Sequence, residues 1–206
     1  YDLLHFEGRH TMERNLERTP VIHGMLRFGS RRGTSSHQHN PFFILTDRET
    51  TEDHGSCYGM GFLYSGNFSF EVEEDQFNQT RMQIGLLDEM LDYPLNPGEE
   101  FYSPEAAMAY TDQGLTALSH IYHDLIREHV CRGKYKTGPR PVLINSWEAA
   151  YFDFTGDQLI EIARDAAKLG IDMFVLDDGW FGQRDTDNSG LGDWYVNEEK
   201  LGAPLS

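Results

Sequence analysis

The chain has 206 residues and a formal net charge of −17 at pH 7, from 17 lysines and arginines against 34 aspartates and glutamates. This acidic balance opposes binding to nucleic-acid phosphates or anionic membranes, and it is compatible with a neutral substrate such as a sugar. No apolar run approaches the ~20 residues that a membrane-spanning helix needs. We therefore expect a folded protein with no nucleic-acid partner and no membrane partner.

The two cysteines, Cys57 and Cys131, lie far apart and match neither a disulfide framework nor a nucleophile motif. Thiols without a pairing pattern are typical of a reducing compartment. We therefore expect a cytoplasmic location.

The first half of the chain consists of short strand-like runs separated by turns. Residues 60–64 and 68–72 are two such runs, and Ser65-Gly66-Asn67 lies between them. Short alternating strands with frequent turns favour an antiparallel sandwich. Because the first residues already resemble a strand, we expect residues 1–103 to be the C-terminal part of a β-sandwich domain.

His37 and His39 stand two positions apart, and alternate residues of a strand share a face. Histidine is a common metal ligand, so the pair raises a metal hypothesis. Its nearest further ligands would be Asp47, Glu52, Asp53 and His54. Nothing in the sequence brings these together, so we expect hydrogen bonding within the sandwich, with no metal and no cofactor.

A helix is predicted over residues 114–130. Its apolar side chains recur at helical spacing, as Leu115, Leu118, Ile121, Tyr122, Leu125, Ile126 and His129. A polar, basic stretch then breaks the helix. We interpret it as a linker helix at the start of a second domain, residues 104–206.

Two short apolar runs, residues 141–144 and 173–176, are typical of strands buried on both faces of a parallel sheet. A helix lies between them, with Thr155 or Asp157 as its N-cap and Gly170 at its end. This pattern predicts a βαβ unit. Parallel α/β folds place their sites at the carboxyl ends of such strands.

Polar and aromatic residues follow both strands where such a site would lie. Asp177 and Asp178 come directly after the second strand. The two carboxyl groups of a glycosidase flank the scissile bond, ~5 Å apart in retaining enzymes and ~6.5–9.5 Å apart in inverting ones. Consecutive strand residues point to opposite faces, so this pair suits binding of sugar hydroxyls better than catalysis. The alternative is a turn or helix-cap carboxylate.

Trp147, after the first strand, has two interpretations. Its indole suits the apolar face of a sugar, and it equally suits a core between strands and helices. Glu148 fits a structural role better than a catalytic one. The individual roles of Trp180 and Trp194 are open.

Several motifs resemble one known family. Ser146-Trp147-Glu148-Ala149, Asp177-Asp178-Gly179-Trp180-Phe181-Gly182 and Gly192-Asp193-Trp194 are similar to the opening barrel segment of the bacterial α-galactosidases of glycoside hydrolase family 36. Upstream, residues 35–42 and 64–68 look like that family's N-terminal β-sandwich. The resemblance implies that Asp177 and Asp178 bind galactose hydroxyls and that Trp147 lines the substrate pocket.

The chain departs from the family in one respect. The family's catalytic pair lies on later barrel strands, including an aspartate in a Lys-Trp-Asp motif, and this chain contains no Lys-Trp-Asp. A complete (β/α)8 TIM barrel typically needs ~250 residues. We therefore expect an internal fragment of mixed β and α/β class, with part of a sandwich and the first strands and helices of an incomplete barrel. It would contain no catalytic residue, since the nucleophile and acid/base are expected further along the full-length protein.

The resemblance implies an α-galactosidase that removes terminal, non-reducing α-D-galactose from oligosaccharides such as melibiose and the raffinose series. It implies a retaining mechanism and a homo-oligomer at full length. The alternatives are a related α-N-acetylgalactosaminidase, a galactosyl transferase of the raffinose-synthase type, and a non-catalytic carbohydrate-binding module.

Overall fold

The computed structural model describes residues 1–205 and divides the chain into two compact units, Tyr1–Cys131 and Arg132–Ser206. The described part of the first unit contains two antiparallel sheets and one α-helix. The described part of the second contains a pair of parallel strands and three α-helices. The mixed β and α/β class expected from the sequence is confirmed.

Eight strands form in the first unit. They are β1 (Asp2–Arg9), β2 (Met12–Pro20), β3 (Gly24–Ser30), β4 (His39–Thr46), β5 (Cys57–Phe62), β6 (Phe68–Glu74), β7 (Thr80–Leu86) and β8 (Ala106–Thr111). Five of them make one sheet, in the order β2-β1-β4-β5-β8, and three make a second, in the order β3-β6-β7.

The core of the sandwich lies between these two sheets. Phe43 of β4 and Phe70 of β6 are both buried, and their rings stack with centroids 4.6 Å apart. The other buried members are Leu3, Leu45, Met60, Phe62, Phe68 and Val72 of the two sheets and Val21 of the connection between β2 and β3. Strand alternation produces this core because residues i and i+2 share a face. The predicted β-sandwich is therefore present.

A helix covers the opposite face of the five-stranded sheet. This helix, α1 (Gly114–Leu125), continues into one π-helical turn, Ile126–Val130. The buried residues of this second core are Leu4, Ile44, Cys57, Leu118 and Tyr122. The sequence predicts a linker helix here, and the apolar stripe of α1 packs on the five-stranded sheet.

The compact units divide after Cys131, whereas the sequence suggests a boundary after residue 103. Strand β8 lies beyond residue 103 and pairs with β5, with Tyr110 opposite Tyr58. Its sequence, AAMAYT, is rich in alanine and poor in β-branched residues, so local propensity does not mark it as a strand. Pairing with β5 decides its conformation, and α1 follows it onto the same sheet.

Close approach of α1 to the sheet depends on a glycine of β5. A Cβ built on Gly59 would lie 2.7 Å from Cε2 of Tyr122 and 3.2 Å from Cδ2 of Leu118. The Tyr122 ring is held in place because its hydroxyl donates to the carbonyl of Ala107 at 3.0 Å. The ring also meets Phe42 edge-on, with centroids 4.8 Å apart. Burial raises the pKa of Tyr122 to about 12.

His39 lies in the sandwich beside a second histidine, His5 of β1. Their ring centroids are 6.1 Å apart, and His39 meets Phe28 of β3 at 5.3 Å. Neither Nδ1 atom has a hydrogen-bond partner within the described structure. Burial is the largest cause lowering the pKa of both rings, and the charge of His39 lowers that of His5 further. Both rings are therefore held neutral near pH 7.

The second unit contains the predicted βαβ unit. Its elements are β9 (Leu143–Asn145), α2 (Trp147–Ala150), α3 (Gly156–Lys168), β10 (Met173–Val175) and α4 (Glu198–Leu201). Strands β9 and β10 are parallel, with Leu143 opposite Met173 and Asn145 opposite Val175.

The N-terminus of α3 settles which residue caps this helix. The Thr155 hydroxyl accepts from the backbone N–H of Gln158 at 3.4 Å, and the Gln158 side chain accepts from the backbone N–H of Thr155 at 2.8 Å. This reciprocal pair is a capping box. Thr155 is thus the cap, and Asp157 lies in the first turn, where a negative charge is favourable.

We expect Gly59→Ala to lower the free energy of unfolding of the first unit by about 1–3 kcal/mol, the usual cost of overpacking a core. Gly85→Ala in β7 is the matched control, since a Cβ there meets nothing within 4 Å. Urea unfolding followed by far-UV circular dichroism measures both variants. Equal midpoints for the two variants would contradict this account of the contact between α1 and β5.

We also expect the stability of the first unit to fall as the pH drops below about 6.5, the ordinary pKa of histidine. The folded pKa values of His5 and His39 are lowered, so below that pH the unfolded chain binds more protons than the folded one. The loss deepens until the pH reaches the lowered folded values. The charges of Glu7 and Glu17 raise the pKa of His5, and the charge of Glu7 raises that of His39, so they reduce this loss of stability.

Denaturation midpoints between pH 7 and pH 5 test this expectation. His5→Gln and His39→Gln should each flatten the pH dependence, whereas His37→Gln, at an exposed position, should leave it unchanged. A wild-type slope in both core variants would show that other groups cause the effect.

Candidate substrate-binding site

The two parallel strands end side by side, and hydrogen bonds join the segments that follow them. The backbone N–H of Ser146 donates to the carbonyl of Val175 at 3.0 Å, which extends the strand pairing by one bond. The buried Ser146 hydroxyl then accepts from the backbone N–H of Asp177 at 3.1 Å. The residues after β9 and after β10 therefore form one connected site.

Asn145 connects two of the residues that the sequence singles out. Its Nδ2 donates to Oδ2 of Asp177 at 2.7 Å, and its Oδ1 accepts from the backbone N–H of Trp147 at 2.7 Å. Asp177 is otherwise exposed to solvent. One oxygen of its carboxylate is thus held by a neutral amide, and lone pairs remain to accept from a ligand.

Asp178 has a different environment from Asp177. Both of its oxygens accept from Arg184, Oδ1 from Nε at 2.5 Å and Oδ2 from Nη2 at 2.6 Å. The backbone N–H of Gly179 also donates to Oδ1, at 2.7 Å. The hydrogen bond from Arg184 is the largest cause that holds the pKa of Asp178 below its ordinary value. Asp178 is therefore an ionised member of a bidentate ion pair.

An open depression of about 340 Å³ lies at this end of the strands. Its lining residues are Val175, Leu176, Asp177, Asp178, Trp180, Phe181, Leu191 and Trp194. Phe181 is buried between two indoles, with its ring centroid 5.1 Å from that of Trp180 and 4.5 Å from that of Trp194. Trp194 is 69% exposed. Carboxylates beside exposed aromatic rings suit a sugar, which presents both hydroxyls and an apolar face.

Trp147 does not line this depression. Its ring packs edge-on against Tyr151 at 5.3 Å and against Phe152 at 4.9 Å. It joins the site through the hydrogen bond of its backbone N–H to Asn145. Its assignment to the substrate pocket stays a prediction, and these contacts match the alternative of a packed aromatic. Glu148 accepts from the Tyr151 hydroxyl at 3.2 Å, a structural contact.

Two residues of the site are not singled out by the sequence. Asn145 directly precedes the first motif, and the end of a predicted strand is the signal that points to it. Arg184 has no such signal, because it lies in a polar loop six positions after Asp178. Only the folded loop brings the two together.

Within residues 1–205, no group of three or more histidines, cysteines, aspartates and glutamates is arranged to hold a metal ion. In the same part of the chain, none of the helices is long and apolar enough to cross a membrane.

Comparison with known families matches the chain in two parts. The glycosyl hydrolase family 36 N-terminal domain matches residues 1–96. The melibiase family matches residues 100–206, and this match contains the site at the ends of β9 and β10.

Characterised proteins match the whole chain. It is 64% identical to the bifunctional alpha-galactosidase/sucrose kinase AgaSK of Mediterraneibacter gnavus over 206 residues, which are 100% of this chain and 22% of that protein. It is 50% identical to alpha-galactosidase Mel36A of Lactobacillus acidophilus over 201 residues, which are 98% of this chain and 28% of that protein. The chain thus spans about a quarter of the length of these relatives.

Solved structures agree with these matches. The crystal structure of the GH36 alpha-galactosidase AgaA from Geobacillus stearothermophilus superposes with a TM-score of 0.95 at 48% identity, over 100% of this chain and 29% of that chain. Variants of AgaA have been solved in complex with raffinose and with stachyose. The galactosidase domain of AgaSK superposes with a TM-score of 0.94, over 99% of this chain and 28% of that domain chain.

Proposed function

The chain belongs to glycosyl hydrolase family 36, and from this premise we propose that it is the galactose-holding part of an α-galactosidase. The complete enzyme would hydrolyse terminal, non-reducing α-D-galactose from galacto-oligosaccharides. The observation that carries the proposal is the 64% identity over the whole chain to a protein named as an α-galactosidase. That relative is also named as a sucrose kinase, but the chain superposes on its galactosidase domain.

The site geometry supports a binding role for Asp177. It is an exposed carboxylate at the carboxyl end of β10, oriented by Asn145 and placed beside an indole-lined depression. Hydrogen bonds from hydroxyls to a charged acceptor contribute about 1.5–3 kcal/mol each. Such contacts orient a galactose ring and discriminate between sugars by the positions of their hydroxyls.

Catalysis needs a further pair of carboxyl groups. A retaining glycosidase uses a nucleophile and an acid/base that flank the scissile bond ~5 Å apart. Asp178 is a poor candidate for either role, because both of its oxygens accept from Arg184. We propose that the complete enzyme supplies both catalytic groups from outside this chain, as the missing Lys-Trp-Asp motif suggests.

The substrate class follows from the relatives. AgaA variants were solved with raffinose and stachyose, and these names support oligosaccharides of the raffinose series as substrates here. The homo-oligomeric state and the lack of a nucleic-acid or membrane partner stay predictions. The cytoplasmic location also stays a prediction, supported by two cysteines that are both free.

We expect Asp177→Ala in the complete enzyme to lower kcat/KM by about 10- to 100-fold. Loss of one charge-assisted contact of about 1.5–3 kcal/mol corresponds to that factor, since 1.36 kcal/mol is tenfold. Contacts that tighten towards the oxocarbenium-like transition state lower kcat as well as binding. Steady-state kinetics with an activated aryl α-galactoside measures both constants.

Asp165→Ala is the matched control, because Asp165 is an exposed carboxylate of α3 that pairs with Lys168 and lies outside the lining of the depression. Azide added to the Asp177→Ala variant separates binding from nucleophilic catalysis, since azide replaces a missing nucleophile. Rescue by azide would show that Asp177 is the nucleophile. Near-wild-type kinetics would show that it has no role in holding the sugar.

We expect the isolated 206-residue chain to have no glycosidase activity, because neither catalytic group is assigned within it. The measurement is release of nitrophenol from a nitrophenyl α-galactoside by the pure chain, against a heat-denatured sample. Turnover above that background, abolished by Asp177→Ala, would place the catalytic pair inside this chain.

A further inference from the structure

Arg184 is the most deeply buried cation of the second unit, although arginine is among the residues least often buried. It is 5% exposed. Its guanidinium lies 5.6 Å from the ring centroid of Phe152 and 5.8 Å from that of Phe181. The guanidinium is thus packed beside two aromatic rings in addition to its polar contacts.

All three guanidinium nitrogens have hydrogen-bond partners. Nε and Nη2 donate to the two oxygens of Asp178. Nη1 donates to three backbone carbonyls of the following loop, those of Thr186 at 3.1 Å, Asp187 at 3.2 Å and Ser189 at 2.6 Å. One side chain therefore ties the residue after β10 to the loop of residues 184–190.

The loop is shaped around this side chain. Gly190 has φ of +67°, and a Cβ built on it would lie 3.1 Å from Cβ of Arg184. A left-handed backbone conformation is easily adopted by glycine and is strained for residues with a side chain. The backbone of the loop thus lies close against the side chain of Arg184.

Stability alone explains such a pair poorly. Replacing a buried ion pair by apolar residues of similar volume is often neutral or stabilising. What the pair supplies instead is geometry, since a bidentate guanidinium sets both the position and the rotation of a carboxylate. Here the carboxylate lies at the edge of the depression that also contains Asp177.

Asp178 keeps capacity for a further contact. A carboxylate has about four acceptor positions, and Arg184 and Gly179 use three in this site. Its side chain is 25% exposed, on the side of the depression. One lone pair therefore remains for a hydroxyl of the substrate.

We propose that Arg184 is a positioning residue that holds the Asp178 carboxylate and the loop of residues 184–190 in the orientation that receives the sugar. This inference rests on the proposed α-galactosidase function. Arg184 itself contacts no substrate in this scheme, and it acts through Asp178. Lysine cannot replace it, because an ammonium group has three donors and lacks the fork that binds both carboxylate oxygens.

The charges around Asp178 predict how the pH dependence of activity changes when Arg184 is replaced. Arg184 lowers the pKa of Asp178 by hydrogen bonding, whereas burial of Asp178 raises it. Lys200 of α4 also lowers the pKa of Asp178, and Asp187 acts on Arg184. Lys200 also pairs with Asp185 at 3.2 Å. The carboxylate that is nearest to Asp178 in sequence is that of Asp177. The backbone N–H of Gly179 lowers the pKa of Asp178 as well. Removal of Arg184 removes the largest of the lowering causes, so the pKa of Asp178 rises and Asp178 takes up a proton at a higher pH than in the wild type.

The test uses the complete enzyme with Arg184→Met and Arg184→Lys, assayed with a nitrophenyl α-galactoside from pH 4 to pH 8. We expect kcat/KM at pH 7 to fall at least about tenfold in both variants, since small displacements of positioned groups cost up to about 100-fold. In Arg184→Met the acidic limb of the pH profile should move to higher pH. In an Asp178→Asn background, Arg184→Met should cause no further shift of that limb.

Arg164→Met and Arg164→Lys are the matched controls, because Arg164 is exposed on α3. Melting temperatures measured beside the kinetics separate folding from positioning. A lowered melting temperature with wild-type kcat/KM and a wild-type acidic limb would overturn the proposal. If Arg184→Met does not fold, the kinetics of Arg184→Lys are the test. Wild-type kinetics in that variant would equally overturn the proposal. An inactive wild-type enzyme would instead refute the proposed function.

Discussion

The parallel pairing of β9 and β10 is the constraint on which the candidate site depends. Because Asn145 lies opposite Val175, the next residues of both strands meet, and Ser146 can bond to both the carbonyl of Val175 and the N–H of Asp177. A shift of one residue would turn each side chain to the other face of the strand pair. Asp177 would then lose its hydrogen bond from Asn145.

This register gives the two neighbouring carboxylates different surroundings. Asp177 is exposed and held by a neutral amide, whereas Asp178 is bound by a guanidinium on both oxygens. A charged partner keeps an aspartate ionised and fixed, and an amide leaves it free to accept from a ligand. Two identical residues in sequence are thus chemically different in the structure. Such a difference suits a sugar site, in which one acceptor must be rigid and another accessible.

The first unit has its own packing requirement. Strands β1, β4 and β5 of its five-stranded sheet contribute buried residues to both faces, against the smaller sheet on one side and α1 on the other. Large residues of β5 such as Met60 face the sandwich, while Gly59 admits the Tyr122 ring. Close-packed interiors tolerate little added volume, so the choice of glycine at one position controls how near α1 can lie.

The sequence by itself determined the family, the sandwich, the βαβ unit and the strand end at which the site lies. These features depend on local signals, namely alternation in strands, helical spacing, cap-forming residues at the start of α3 and the motifs after each strand. Tertiary structure alone decided three others. Strand β8 is an alanine-rich segment that becomes a strand by pairing with β5, Trp147 packs on Tyr151 and Phe152, and Asp178 pairs with Arg184. The physical reason is that each depends on which groups meet after the chain folds, and residue type and spacing along the sequence do not specify that.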